Sequence, residues 1–116
     1  MICIDASVAA KWIVPEEYSE QALALYTASI VAGEPIVAPT LLPIEVTNIL
    51  RRRMVRDGLT LEDAKLLLFR FLSFPIRYPA LDPLHLRALE ISATYDLPAI
   101  YDAQYLAVAE YLFCPL

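Results

Sequence analysis

The chain has 116 residues, a formal net charge of −5, 59% apolar residues, 20% charged residues and only two glycines. A single domain over residues 1–116 accounts for that length, and the apolar content exceeds the roughly 45–50% usual for soluble chains, which excludes disorder. The longest run without an acid or base, Gln21 to Gly33, is too short to span a bilayer, and Met1 to Asp5 lacks the features of a secretory signal. The sequence therefore reads as a cytoplasmic protein with no membrane segment. Cys3 and Cys114 have no metal-ligand or disulfide-framework spacing and read as buried thiols.

In chain order, Ile2-Cys3-Ile4 is a short apolar run suited to a strand covered on both faces. Asp5-Ala6-Ser7 can then turn and cap a short helix through Trp12. Ser19 to Ala32 is predicted helical, with Ala22, Leu23, Tyr26 and Ile30 on its inner stripe and Gly33 ending it. Ile36-Val37-Ala38 is the second strand. Thr40 is the expected cap of a helix that carries Pro43 in its first turn, buries Leu42, Val46, Ile49 and Leu50, and stops at Gly58. Thr60 to Asp63 resembles a capping box, opening a helix that places Ala64, Leu67, Leu68, Phe71 and Leu72 inward and ends at Pro75. Ile76 to Tyr78 is a weaker strand, Asp82-Pro83 the cap and first residue of a helix reaching Tyr95, and Ile100 to Phe113 the last helix. Cys114-Pro115-Leu116 resembles the opening of a further strand. Strands separated by helices predict a parallel sheet inside a three-layer α/β/α sandwich, with any site at the carboxyl ends of the strands.

Three acids fall at such ends. Asp5 closes the first strand, Glu45 lies one turn into its helix with Asn48 at i+3 and Arg52 at i+7, and Asp102 lies in a first turn between Tyr101 and Tyr105. Taken singly, each is also an ordinary cap or first-turn acid. Brought to one edge of a sheet they would repel one another unless a cation lay between them, and oxygen ligands suit Mg2+ or Mn2+. No competing catalytic set is present: the one histidine, His85, sits inside a predicted helix, and two glycines cannot build a phosphate loop. The charge is uneven, because residues 51 to 77 hold seven bases and three acids. Arg51, Arg52, Arg53 and Arg56 read either as a solvated helix face or as an RNA backbone grip beside the acids, and Lys11 reads likewise. Tyr101 and Tyr105 could stack on a base or pack in the core.

The segments ICIDASVAAKWIVPEE, APTLLPIEVTNIL and LPAIYDAQYLAVAEYLFCPL, in that order, resemble the PIN domain superfamily and within it the VapC-type toxins of toxin-antitoxin pairs. The resemblance places Asp5, Glu45 and Asp102 on the family's metal-binding acids, and Ser7 and Asn48 on positions that support them. It implies a Mg2+- or Mn2+-dependent endoribonuclease leaving 5′-phosphate and 3′-hydroxyl ends, a homodimer, and inhibition by a cognate antitoxin. It also implies a fourth acid, in a Thr-x-Asp or Ser-x-Asp turn a few residues beyond Leu116. The expectation here is thus a stunted final strand, a missing last helix and weakened activity. The alternative is a catalytically impaired PIN-like partner that binds an antitoxin or an intact copy. A phosphoacceptor receiver domain fits poorly, because its acidic pair, third-strand Asp and late Lys are not where they should be.

Overall fold

The structure is a computed structural model that describes residues 1–15, 17–96 and 101–112. Three two-residue strands, β1 (Ile2–Cys3), β2 (Ile36–Val37) and β3 (Ile76–Arg77), form a parallel sheet in that order, with Ile2 opposite Ile36 and Ile36 opposite Ile76. Each strand is shorter by one residue than the run expected for it. The ladder nonetheless continues past the strand ends, where the Ile4 amide donates to the Val37 carbonyl at 3.1 Å and the Ala38 amide to Arg77 at 3.0 Å.

Alternation along these strands sorts the molecule into layers. Ile4, Ile36 and Ala38 join a core built with α1 (Ala6–Ile13), α2 (Ser19–Ala32), α3 (Leu42–Asp57) and α4 (Leu61–Leu72). Cys3 and Val37 face the other way, against Leu84 of α5 (Asp82–Thr94) and Val108 and Ala109 of α6 (Tyr101–Tyr111). The described residues thus form the expected three layers. The last helix ends two residues inside the expected limit at its carboxyl side, and the strand opening expected at Cys114 to Leu116 lies outside the described residues.

Local chemistry fixes the elements that carry the acids. Asp5 has extended backbone and its Oδ1 accepts the Val8 amide at 3.1 Å, so it caps α1 directly. The Trp12 indole donates to the Ala22 carbonyl at 2.9 Å, and its ring meets Tyr26 and Phe74 with centroids 5.2 Å away in both cases, which binds α1 to α2 and to the end of α4. Gly33 and Gly58 terminate α2 and α3 in the left-handed region, at φ of +67° and +72°.

Four expectations need correction. Thr40 does not cap α3: a turn closed by the Leu42 amide on the Pro39 carbonyl delivers the chain already helical at Leu41, so Leu41 occupies the cap position without a side-chain bond. Asp82 likewise lies inside α5, with extended Leu81 before it, and its carboxylate serves the first turn through the helix dipole instead. On α2 the buried side is set by Ala22, Tyr26 and Ser29, while Leu23 and Ile30 are exposed. That helix is apolar almost all round, so spacing alone could not choose its inner face. On α4, Thr60 accepts the Asp63 amide at 3.1 Å as expected, but Leu72 is turned outward.

Candidate active site

A cleft of about 350 Å³ opens at the carboxyl end of β1 and is lined by Asp5, Ala6, Ser7, Glu45, Asp102, Tyr105 and Leu106. Asp5 reaches it because the strand ends two residues earlier and α1 begins immediately after. Its position is held twice over, since Ser7 Oγ donates to Oδ1 at 2.7 Å and the Val8 amide donates to the same oxygen. Glu45 arrives from the first turn of α3, whose Leu42 and Val46 are fully buried beneath it. Asp102 lies on the exposed first turn of α6, and the i+3 and i+4 positions bring Tyr105 and Leu106 onto the same wall.

Tyr105 is 4% exposed, and its hydroxyl and Glu45 Oε1 are both buried without a hydrogen-bond partner. Burial pushes the phenol far above its usual range, and the neighbouring Glu45 and then Asp5 carboxylates push it the same way. It therefore stays protonated throughout the range in which proteins work. A buried, unpartnered carboxylate oxygen costs about 1–3 kcal/mol or more, and here it stands in a cleft whose donors are all oxygen. That donor set suits a hard cation. Among the described residues, however, no three acids, histidines or cysteines stand close enough together to form a ready-made cage. The site fits a cation that keeps much of its own water and takes only one or two carboxylates, as Mg2+ does.

Ser7 is at the cleft. Asn48 is exposed on α3 and is not part of the lining. Arg51, Arg52 and Arg56 are exposed, Arg53 pairs with Asp57 at 3.3 Å, and Lys11 is half-buried in the last turn of α1. None of these bases lines the acid cleft; Arg51 instead borders an apolar groove between α3 and α4 with Met54 and Leu68. Tyr105 is packed and Tyr101 is exposed. Ala6 and Leu106 were not legible as lining residues, although the helical offset of Leu106 from Asp102 would have shown it.

A family model for the PIN domain matches residues 2–116. The chain belongs to the PIN domain family. Its curated relatives include the proteins named Ribonuclease VapC12 from two strains of Mycobacterium tuberculosis, CDC 1551 / Oshkosh and ATCC 25618 / H37Rv. Each is 29% identical over 116 residues, which cover all of this chain and 84% of the relative. The PIN family and VapC-type resemblance drawn from the three sequence segments stands. No helix among the described residues is long and apolar enough to cross a membrane.

Proposed function

We propose that this PIN domain is a divalent-metal-dependent endoribonuclease acting in the cytoplasm as the toxin of a toxin-antitoxin pair. The observation that carries the reading is the meeting of Asp5, Glu45 and Asp102 in one cleft, with a buried Glu45 oxygen unpartnered there, in a chain similar to Ribonuclease VapC12. Asp5, Glu45 and Asp102 would hold Mg2+ or Mn2+ between them, one or two by direct contact and the rest through the cation's own water. Such a cation supplies positive charge to the scissile phosphate and makes water a better nucleophile near neutral pH.

The chain's own residues do the positioning. Ser7 and the Val8 amide engage Oδ1 of Asp5, leaving Oδ2 to the ligand. Glu45 brings an oxygen already stripped of water, and the protonated Tyr105 hydroxyl beside it is a donor that can steer that carboxylate. Asp102, exposed at the rim, is free to close on what enters. Arg51, Arg52, Arg53 and Arg56, with Lys11, would contact the RNA backbone outside the cleft, since none of them lines it. By resemblance the products carry 5′-phosphate and 3′-hydroxyl ends.

Two protein partners belong to the same proposal. Val31 on α2 and Leu66 and Phe69 on α4 are 83%, 69% and 76% exposed, an apolar surplus suited to a second copy or to the cognate antitoxin. A homodimer through these helices should dissociate in Phe69→Glu, which light scattering at tens of micromolar would report; an unchanged monomeric wild type would remove that part.

The test of the activity is cleavage of single-stranded RNA with Mg2+ or Mn2+, absent in EDTA and abolished by Asp5→Asn. Cleavage that survives either change would defeat the reading. Normal antitoxin binding by a chain inactive with both metals would favour the impaired binding partner, a reading that draws on the lack of a ready-made acid cage among the described residues.

A further inference from the structure

On the far side of Leu106 lies a second cleft, of about 590 Å³, between α5 and α6. We infer that this cleft, lined by Arg87, Ile91, Tyr95, Leu106 and Glu110, holds a nucleobase of the RNA strand adjacent to the phosphodiester that is cut. The inference deepens the proposed ribonuclease activity and rests on it for the identity of the strand.

Three features point to a flat, uncharged ring. Leu106 lines both clefts, so a chain whose phosphate reaches the acids has its neighbouring base at the mouth of the second. Tyr95 is 70% exposed on the wall, with its backbone tied to α5 by its amide, which donates to the Ile91 carbonyl at 3.0 Å. Such an aromatic offers an exposed stacking face whose water is released when a base covers it.

The third feature is Arg87. Its Nε and Nη2 donate to the two carboxylate oxygens of Glu110 at 2.8 and 3.1 Å, and Nη1 donates to Glu90 at 3.0 Å. All three guanidinium nitrogens are engaged, so the plane is fixed and its charge is matched by carboxylates. A phosphate would meet Glu110 with no uncompensated cation to hold it. A guanidinium locked flat retains its stacking surface, and bases are held between such planes and aromatic rings in single-strand recognition. Ile91 and Leu106 supply the apolar sides. The cleft is thus unsuited to the backbone and suited to a base, which divides the labour with the acid cleft next to it.

The experiment uses the full chain and a short single-stranded RNA carrying 2-aminopurine beside the cleavage position, titrated with Ca2+ in place of Mg2+ so that a cation seats the phosphate at the acids while cleavage is suppressed. Wild type should quench the reporter. Tyr95→Ala should lose the quench and bind about tenfold more weakly, while Tyr95→Phe should behave as wild type. Arg87→Lys, which keeps the charge but not the flat face, should act in the direction of Tyr95→Ala. With Mg2+ present, Tyr95→Ala should raise KM about tenfold with little change in kcat. Wild type that cleaves RNA while Tyr95→Ala retains full quench and KM would overturn the base cleft and leave the proposed function standing. Wild type that quenches through Tyr95 but never cleaves would support the cleft and defeat the nuclease reading. A Tyr95→Ala protein that binds RNA normally but loses self-association would overturn the inference in favour of a protein contact.

Discussion

The two faces of the sheet are packed by different means. Beneath α1 to α4 the core is made of large side chains, with Trp12, Phe71, Leu42 and Val46 almost wholly buried and Tyr26 and Phe74 in edge contact at 4.9 Å. Beneath α5 and α6 it is made chiefly of small ones, including Ala88, Ala103, Ala107 and Ala109. Large residues bury more area and contribute more stability, whereas alanines let helix backbones approach closely. The first face therefore holds the fold, and the second sets how near α6 can bring Asp102 and Tyr105 to Asp5. The first face thus supplies most of the stability together with Asp5 and Glu45, while the second positions the third acid.

The sharpest way to break that division is to truncate a residue on the stabilising face. Phe71→Ala should cost about 3–5 kcal/mol in chemical denaturation, a large share of the stability of a domain this size. A loss below about 1 kcal/mol would mean that the large-residue core is not the main support. At the site the order of effects should reverse. Asp5→Asn should take RNA cleavage below detection, a loss of at least about a hundredfold, while changing stability little, because the amide oxygen can still accept from Val8. Asp5→Ala should lose the same activity and, in addition, about 1 kcal/mol from the missing cap. Equal stabilities for the two variants would show that the cap contributes nothing.

Tyr105 joins the two faces, and its titration sharpens the comparison. Its folded pKa is raised by burial and by Glu45, so the stability it contributes is complete below about pH 10, the ordinary phenol range, and is lost as pH climbs toward the folded value. Wild type should weaken in alkaline denaturation above about pH 10, and Tyr105→Phe should flatten that limb. An unchanged limb would place the titrating group elsewhere, with half-buried Tyr78 the next candidate because burial raises it as well. The smallest effect belongs to the exposed arginines of α3. Arg52→Ala should weaken RNA binding about equally for all sequences and lower the salt slope by about one unit, with no change in folding.

Much of this arrangement was legible in the sequence, and the parts that were not share a cause. Asp5, Glu45 and Asp102 could be placed together because a parallel sheet sends every strand's carboxyl end to one edge, and Thr60 and Gly33 announced their helix ends through chemistry that acts within a few residues. Thr40 and Asp82 misled because a backbone carbonyl rather than either side chain satisfies an early helix amide, Pro39 accepting from Leu42 in one case and Leu81 from Leu84 in the other. Leu23 and Ile30 misled because α2 offers apolar residues in every direction, and packing against Trp12 and Phe74 selects among them. The cleft around Tyr95 was hidden for a related reason. Arg87 and Glu110 are 23 residues apart, and nothing local in the chain marks them as a pair.

The double hold on Asp5 has a thermodynamic consequence for whatever the cleft receives. Folding itself freezes this side chain, through Ser7 and the Val8 amide, so its rotational entropy is surrendered when α1 forms and not when a ligand arrives. Asp102, exposed on the opposite wall, keeps that freedom until it makes a contact. Capture in this site is accordingly asymmetric in time: the rigid carboxylate offers the first foothold, and the mobile one contributes afterward, at an ordering cost that tempers how tightly the ligand is retained.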